Sequence, residues 1–148
     1  MSPYSLHASL GYQMTVTVRL QEKRFEDWLK DLGLTRTSWC VLVALDYEGL
    51  TRPSDIASFI GIDRTAISRT LRQMEAAGLI ARSSGTGDKR TTEVATTKTG
   101  QEALARAAPI AKKNAALIEE NLSEAETTEL RRLLAKIRGD APLTLDRI

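Results

Sequence analysis

Apolar side chains recur at helical spacing near the start of the chain. Between about residues 8 and 32 they follow one another at steps of three, four and seven, a spacing that keeps them on one helix face. They are Leu10, Met14, Val18, Phe25, Trp28 and Leu32. We therefore predict a first helix that ends at Gly33.

A second helix is predicted directly afterwards. Thr35 is a good N-cap, and Leu34 and Trp39 occupy the two positions of a hydrophobic staple. The segment that follows is apolar almost all round, which is typical of a buried helix. It should end near Gly49.

The middle of the chain has the pattern of a helix–turn–helix. A short helix is predicted over residues 53–60, Gly61 ends it, and Asp63 caps a longer helix. Ala57 provides a small residue where two helices touch, and Ile67 provides an inward β-branched side chain.

A β-hairpin and two helices are predicted in the second half. Residues 79–84 and 91–96 are strand-like and flank a polar tip that contains glycine. Thr97 caps a long helix to about residue 121, in which Pro109 should cause a kink because it removes a backbone hydrogen bond. Ser123 begins a final helix as the first residue of a capping box.

The first and last helices carry apolar stripes that have no obvious partner in a compact centre. The last helix presents Leu130, Leu133, Leu134 and Ile137 on one face. Such stripes often pack against a second copy of the chain, so the pattern favours a homodimer.

The longer helix of the helix–turn–helix has two distinct faces. Ile67, Leu71 and Met74 form an apolar face. The opposite face consists of Arg64, Thr65, Ser68, Arg69 and Arg72. Arg can form two parallel hydrogen bonds with guanine in the major groove, and Ser and Thr can bind bases or phosphates. This face carries no Glu, which favours a nucleic-acid contact over a merely solvated surface.

Charge and composition agree with this interpretation. The net charge is only +2. The excess of positive charge lies in residues 51–100, which hold eight Lys and Arg against five Asp and Glu. One Cys and one His cannot build a metal site, and no catalytic constellation appears, so neither a metal nor an enzyme is expected. We expect no cofactor.

The single cysteine, the N-terminal residues and the short apolar runs predict a cytoplasmic protein. A single cysteine excludes an internal disulfide and fits a reducing compartment. The N-terminus has neither the basic start nor the apolar stretch of a signal peptide. The longest apolar run, residues 39–45, is too short to span a membrane.

The run RPSDIASFIGIDRTAISRTLRQMEAAGLIARSSGTGDKRTTEVATTKTGQEAL resembles the winged helix–turn–helix of MarR-type bacterial transcription regulators. The segment DKR followed by VATTKTG is the most specific part of the resemblance. The fold class that it implies is mainly α with a small β-hairpin. Residues 35–97 would be the DNA-binding domain, and residues 1–34 and 98–148 would supply dimerisation helices.

The resemblance also implies how the chain binds double-stranded DNA. A homodimer would place two lobes on a pseudo-palindrome, with the helix that carries Arg64–Arg72 in the major groove. The hairpin would be a wing in the flanking minor groove, where Asp88 orients Arg90 and Lys89 contacts phosphate. The wing tip is short, and Thr96 stands where relatives usually have Leu.

Members of the family are commonly repressors released by a small aromatic acid or a related metabolite. Residues of the first two helices could line such an effector pocket, and an Arg would suit a carboxylate. They are His7, Tyr12, Arg19, Trp39, Cys40, Val43 and Tyr47. The alternatives to ligand binding are that Trp39 and Cys40 pack in the core and that the His7 side chain is solvated.

Two alternatives to an effector-controlled regulator stay open at this stage. Cys40 near the start of the second helix could act as a redox sensor, because the helix dipole lowers the pKa of a thiol there. The winged helix could instead serve only protein–protein contact, although such a module has no need of both an arginine face and a wing arginine.

Overall fold

A computed structural model of the chain describes residues 4–84, 91–139, 141 and 143. The described part is mainly helical with one antiparallel two-stranded hairpin, as predicted. In chain order the elements are α1 (Leu10–Leu29), a 3₁₀ helix (Lys30–Leu32), α2 (Arg36–Asp46), α3 (Pro53–Ile60), α4 (Arg64–Ala76), β1 (Ile80–Ser84), β2 (Thr92–Thr96), α5 (Lys98–Glu119) and α6 (Glu124–Ile137).

The helix boundaries differ from the predictions by a few residues. The first predicted helix changes from α to 3₁₀ geometry after Leu29 and ends at Gly33, whose φ is 68°. The helix α5 stops at Glu119 rather than 121 and continues through Pro109 as one element. His7 was expected on the first helix; that was wrong, because the helix begins only at Leu10 and His7 lies in the preceding turn.

The buried helix is α2, as its sequence predicts. Thr35 accepts a hydrogen bond from the Ser38 amide (3.0 Å), and the Ser38 hydroxyl accepts one from the Thr35 amide (2.9 Å), so the cap is reciprocal. Val41, Leu42 and Ala44 are completely buried. This helix contacts α1, α3, α4, α5 and β2, and it therefore forms the centre of the core.

The helix–turn–helix forms as predicted. Gly61 has a φ of 80°, which favours glycine, and its amide donates to the Ala57 carbonyl. The Ile62 amide donates to the same carbonyl at 3.0 Å. Ala57 and Ile67 are both buried where α3 meets α4. The turn therefore satisfies its own backbone and sets the direction of α4.

The N- and C-terminal helices form an arm beside this core. Arg24 of α1 donates two hydrogen bonds to the Asn114 side chain of α5 (3.2 and 3.1 Å). Lys113 lies 4.7 Å from the ring centre of Trp28. The helix α6 buries none of its own residues in the chain. Its apolar face therefore stays exposed to solvent in the single protomer.

Candidate nucleic-acid interface

The helix α4 is fixed at both ends by hydrogen bonds that its sequence predicts. At the start, the Asp63 carboxylate accepts from the Ala66 amide at 2.7 Å. At the end, Gly78 has a φ of 74°, and the Leu79 amide donates to the Met74 carbonyl at 2.9 Å. A helix held in this way presents its outer face at a defined angle.

The two faces of α4 are confirmed. Ile67, Leu71 and Met74 are each 2% exposed and lie in the core. The five polar residues predicted on the other side are all exposed: Arg64, Thr65, Ser68, Arg69 and Arg72. Gln73 is exposed as well. Across residues 4–84, 91–139, 141 and 143, none of the three arginines takes part in an ion pair. Their charge is therefore available to an anion.

The hairpin packs behind α4 through its base. The strands pair in the register Ile80↔Thr96, Arg82↔Val94 and Ser84↔Thr92. Ile80 and Val94 are buried, whereas the rest of β1 is exposed. The amide of Val94 also donates to the carbonyl of Thr51 at 2.8 Å, on the loop before α3. This arrangement is a short winged helix–turn–helix.

The hairpin tip, residues 85–90, lies outside the described residues. The predicted wing contacts Asp88, Lys89 and Arg90 fall in that segment, so their roles stay predictions. Thr96, the departure noted in the sequence, has a buried hydroxyl that accepts or donates no hydrogen bond within the described part of the chain. The strand thus tolerates a polar side chain at its inner end.

Sequence reasoning missed the contacts that join the hairpin to α4. Arg82 of β1 donates to the Glu75 carboxylate of α4 through Nε (2.9 Å) and Nη2 (2.5 Å). The hydrogen bond from Arg82 lowers the pKa of the Glu75 carboxyl below its ordinary value. Thr97 donates its hydroxyl to the Gly78 carbonyl at 2.6 Å. Glu75 and Arg82 lie seven residues apart on either side of a turn, so neither helix nor strand periodicity predicts their contact.

Known proteins are similar to this chain in sequence and in fold. A family model described as the MarR family matches residues 34–92, which cover the helix–turn–helix and most of the hairpin. Residues 34–92 of the chain therefore resemble the MarR family, whose members are DNA-binding transcription regulators and not enzymes.

Solved structures of regulators have the same fold. BpsR of Bordetella bronchiseptica, regulated by 6-hydroxynicotinic acid, is 24% identical with a TM-score of 0.84, over 95% of this chain and 100% of that one. MOSR of M. tuberculosis, in complex with DNA, is 26% identical with a TM-score of 0.74, over 87% and 92%. The organohalide-sensing RdhR-CbdbA1625, bound to 2,4-dichlorophenol, is 20% identical with a TM-score of 0.83, over 95% and 87%.

In the described part of the chain, the residues predicted for an effector pocket fall into separate groups. His7 lies against Tyr12, with ring centres 5.2 Å apart. The Trp39 ring contacts the Phe25 ring edge-on, with ring centres 4.9 Å apart, and is partly buried against the core. Core packing is the alternative that the sequence left open for Trp39. Tyr47 is 62% exposed at the end of α2. Within the described residues, His7, Trp39 and Tyr47 therefore lie in three different surroundings.

Arg19, one of the residues predicted for the pocket, lines a concave surface. It stands between two shallow grooves on α1. One is lined by Gly11, Met14, Thr15, Val18, Arg19 and Glu22, and the other by Arg19, Glu22, Lys23, Glu26, Arg36 and Thr37. In the second groove the Arg36 guanidinium lies 3.4 Å from Glu22. Both grooves are open, so a second chain would be needed to enclose a ligand.

The surroundings of Cys40 favour the alternative in which this cysteine is a small, largely buried apolar side chain. It sits in the second turn of α2 and is only partly exposed. Burial raises the pKa of its thiol above the ordinary value, and the nearby Arg36 offsets this only in part. Desolvation therefore outweighs the lowering of the thiol pKa that the start of a helix would cause, and the redox role of Cys40 stays a prediction.

Within the described ranges, no helix is both long and apolar enough to cross a membrane. In the same residues, no three side chains of His, Cys, Asp or Glu come together as metal ligands.

Proposed function

We propose that this chain acts as a homodimer that binds a pseudo-palindromic operator and represses transcription until a small aromatic effector releases it. The observation that carries the proposal is the outer face of α4. Within the part of the chain that the structure describes, three exposed arginines that form no ion pair lie there, on a helix whose inner face is buried in the core. In this proposal Arg64, Thr65, Ser68, Arg69 and Arg72 enter the major groove.

The wing extends the contact to the flanking minor groove. A narrow, A·T-rich minor groove has an enhanced negative potential that attracts Arg. Arg90 would enter it, Asp88 would orient Arg90, and Lys89 would bind phosphate. Support comes from the position of the hairpin, because β1 follows α4 after a short turn and Arg82 of β1 donates hydrogen bonds to Glu75 of α4.

The dimer is supported by apolar surface that the single protomer leaves uncovered. The exposed side chains on the arm helices are Leu10, Val18, Leu20, Ile118, Leu130, Leu133 and Ile137. Burial of apolar area against a second copy is the ordinary way to cover such faces. Accordingly, residues 1–34 and 98–148 would form the dimer and residues 35–97 would form each DNA-binding lobe.

An effector site between the arm and the lobe is supported by two of the relatives. Both 6-hydroxynicotinic acid and 2,4-dichlorophenol, named with those proteins, are small substituted aromatic rings. In this chain Arg19 could bind an acidic group, with Tyr12, Val43 and Tyr47 around the ring. The partner's arm would have to close the open grooves beside α1.

The test is binding of the purified protein to its own upstream region at two salt concentrations, followed by fluorescence anisotropy. A regulator should prefer one fragment over unrelated DNA and lose affinity steeply with salt, because bound phosphates release counterions. Protection of two half-sites about 10 base pairs apart would support the dimer. Weak binding that is equal on all sequences would contradict the specific regulator and favour a protein-contact module.

The effector part has its own assay. 6-Hydroxynicotinic acid and 2,4-dichlorophenol are titrated into the protein–operator complex, once with the wild type and once with Arg19→Gln. If Arg19 binds a carboxylate, the substitution should weaken the response to the acid and leave the response to the phenol unchanged. Equal responses in both proteins would remove Arg19 from the site.

A further inference from the structure

The pair Glu75–Arg82 joins the recognition helix to the wing. Glu75 lies in the last turn of α4, and Arg82 is the middle residue of β1. Both Nε and Nη2 of Arg82 donate to the same carboxylate oxygen. Because a turn separates the two residues, the contact fixes one element against another and does not merely support a helix face.

The hairpin is held from two sides at the level of this pair. Arg82 is the register partner of Val94. On one side Arg82 reaches Glu75 of α4, and on the other side the Val94 amide reaches the Thr51 carbonyl. Closer to the base, Ile80 is buried, but the residues of β1 beyond it are exposed. The contact of Arg82 with Glu75 is thus the ion pair that restrains the outer part of β1.

The free energy of folding alone does not explain why Glu75 and Arg82 are paired. The side chains are 34% and 39% exposed, and ion pairs with that exposure contribute little to folding. Glu75 is also the single acidic residue between Arg64 and Ala76, on the helix that offers three arginines to DNA. A carboxylate near DNA phosphates is unfavourable, so simple electrostatics would predict tighter DNA binding without it.

We infer that Glu75 and Arg82 are positioning residues for DNA binding: they hold the hairpin at a fixed angle to α4 so that both elements meet one operator together. The inference rests on the proposed function, in which helix and wing bind adjacent grooves. When two contacts are held rigidly, the second costs no further ordering, and DNA affinity rises without a new contact.

Glu75→Gln separates this role from a purely electrostatic one. Removing a negative charge should tighten DNA binding, whereas loss of the restraint should weaken operator binding by about threefold to tenfold. Glu129→Gln is the matched control. Glu129 also accepts two hydrogen bonds from an arginine, Arg132, but both residues lie on α6, outside the helix–turn–helix and the hairpin. The control should stay within about twofold of the wild type, since an exposed pair of this kind contributes little.

Two more variants decide how Arg82 acts. Arg82→Gln should weaken binding while the slope of log affinity against log salt stays unchanged. A slope smaller by about one would mean that Arg82 itself neutralises a phosphate, and it would overturn the inference. The exchanged pair E75R/R82E should recover most of the lost affinity. If it binds no better than the single variants, the positioning role is rejected.

A measurement without DNA keeps this inference distinct from the proposed function. Hydrogen exchange of the β1 amides should be faster in Glu75→Gln and Arg82→Gln than in the wild type and Glu129→Gln. Equal exchange in all four proteins would overturn the restraint whatever the DNA result. A wild-type protein that binds no operator contradicts the proposed function, and faster exchange in the two variants would then still establish the restraint.

Discussion

The helix α5 begins so close to the turn after α4 that Gly100 has no room for a side chain beside Leu79. A Cβ atom on Gly100 would lie 2.1 Å from the Leu79 carbonyl oxygen and 2.7 Å from Cγ2 of Thr96. The same junction carries the hydrogen bond from the Thr97 amide to the Leu79 carbonyl, 3.0 Å long. The end of the recognition helix, the base of the wing and the start of the arm therefore meet at one tightly packed point.

Gly100→Ala should lower the free energy of unfolding by about 1–3 kcal/mol, because the methyl group meets backbone that cannot move independently. Thermal or urea unfolding measures the change. Gly11→Ala is the control, since Gly11 is exposed on α1 and its nearest neighbour to an added Cβ is the Ser9 hydroxyl at 3.9 Å. The control should be stabilised by about 0.5–1 kcal/mol through helix propensity. Equal effects at both positions would contradict the close approach.

Arg69→Ala should weaken operator binding by about 1–3 kcal/mol and relax base preference at one position of each half-site. The reason is that the exposed Arg69 guanidinium, which forms no ion pair with any described residue, can bind guanine with two hydrogen bonds. Affinity for a panel of single-base operator variants measures both effects. Arg138→Ala, an exposed arginine after α6, should change neither. A uniform loss on every sequence would instead assign Arg69 to phosphate contact.

Arg90→Ala should reduce affinity and alter the preference for A·T pairs that flank the two half-sites, because a narrow minor groove attracts arginine. Binding is compared on operators with A·T-rich and G·C-rich flanks. The difference between the two flanks should shrink in the variant. Unchanged affinity on both operators would remove Arg90 from the interface.

Leu133→Asp should favour the monomer. Leu133 is 40% exposed on α6, and a charge there would have to be buried in the proposed dimer. Sedimentation equilibrium measures the oligomeric state. Leu143→Asp is the control, because that leucine is 79% exposed and follows the helices. If Leu133→Asp remains a dimer at low concentration, α6 does not form the interface.

The Cys40 thiol should react slowly with a thiol reagent at neutral pH. Its pKa is raised by burial, so the reactive thiolate forms only when the pH rises above the ordinary range of cysteine. Reaction rates between pH 7 and 10 measure this, with the urea-unfolded chain as the reference. Cys40→Ala should bind operator equally with and without peroxide. A loss of binding that occurs only in the wild type and reverses with dithiothreitol would restore the redox alternative.

Local signals in the sequence predicted most of the elements. Asp63 and Ser123 cap their helices as expected, and Gly61 and Gly78 end theirs with positive φ. These features depend on a few neighbouring residues, whose hydrogen bonds can be assigned from residue type alone. The two faces of α4 were predictable for the same reason, because helical periodicity decides which side chains share a face.

Contacts between elements were not predictable in this way. The pocket residues of α1 and α2 share a plausible chemistry, but their separation in the protomer depends on where each helix begins and how it packs. The pKa of Cys40 likewise depends on burial by side chains from other elements. Position in α2 alone suggested the opposite shift.

The sequence by itself determined the helices, the hairpin, the arginine face and the resemblance to the MarR family, because each of them depends on residues close together in the chain. Only the tertiary structure decided that Glu75 meets Arg82, that Thr97 bonds to Gly78, and that Gly100 must lack a side chain. Those three contacts join residues across turns and strands. They arise because α4, the hairpin and α5 pack against one core. The spacing of residues along the chain does not predict that packing.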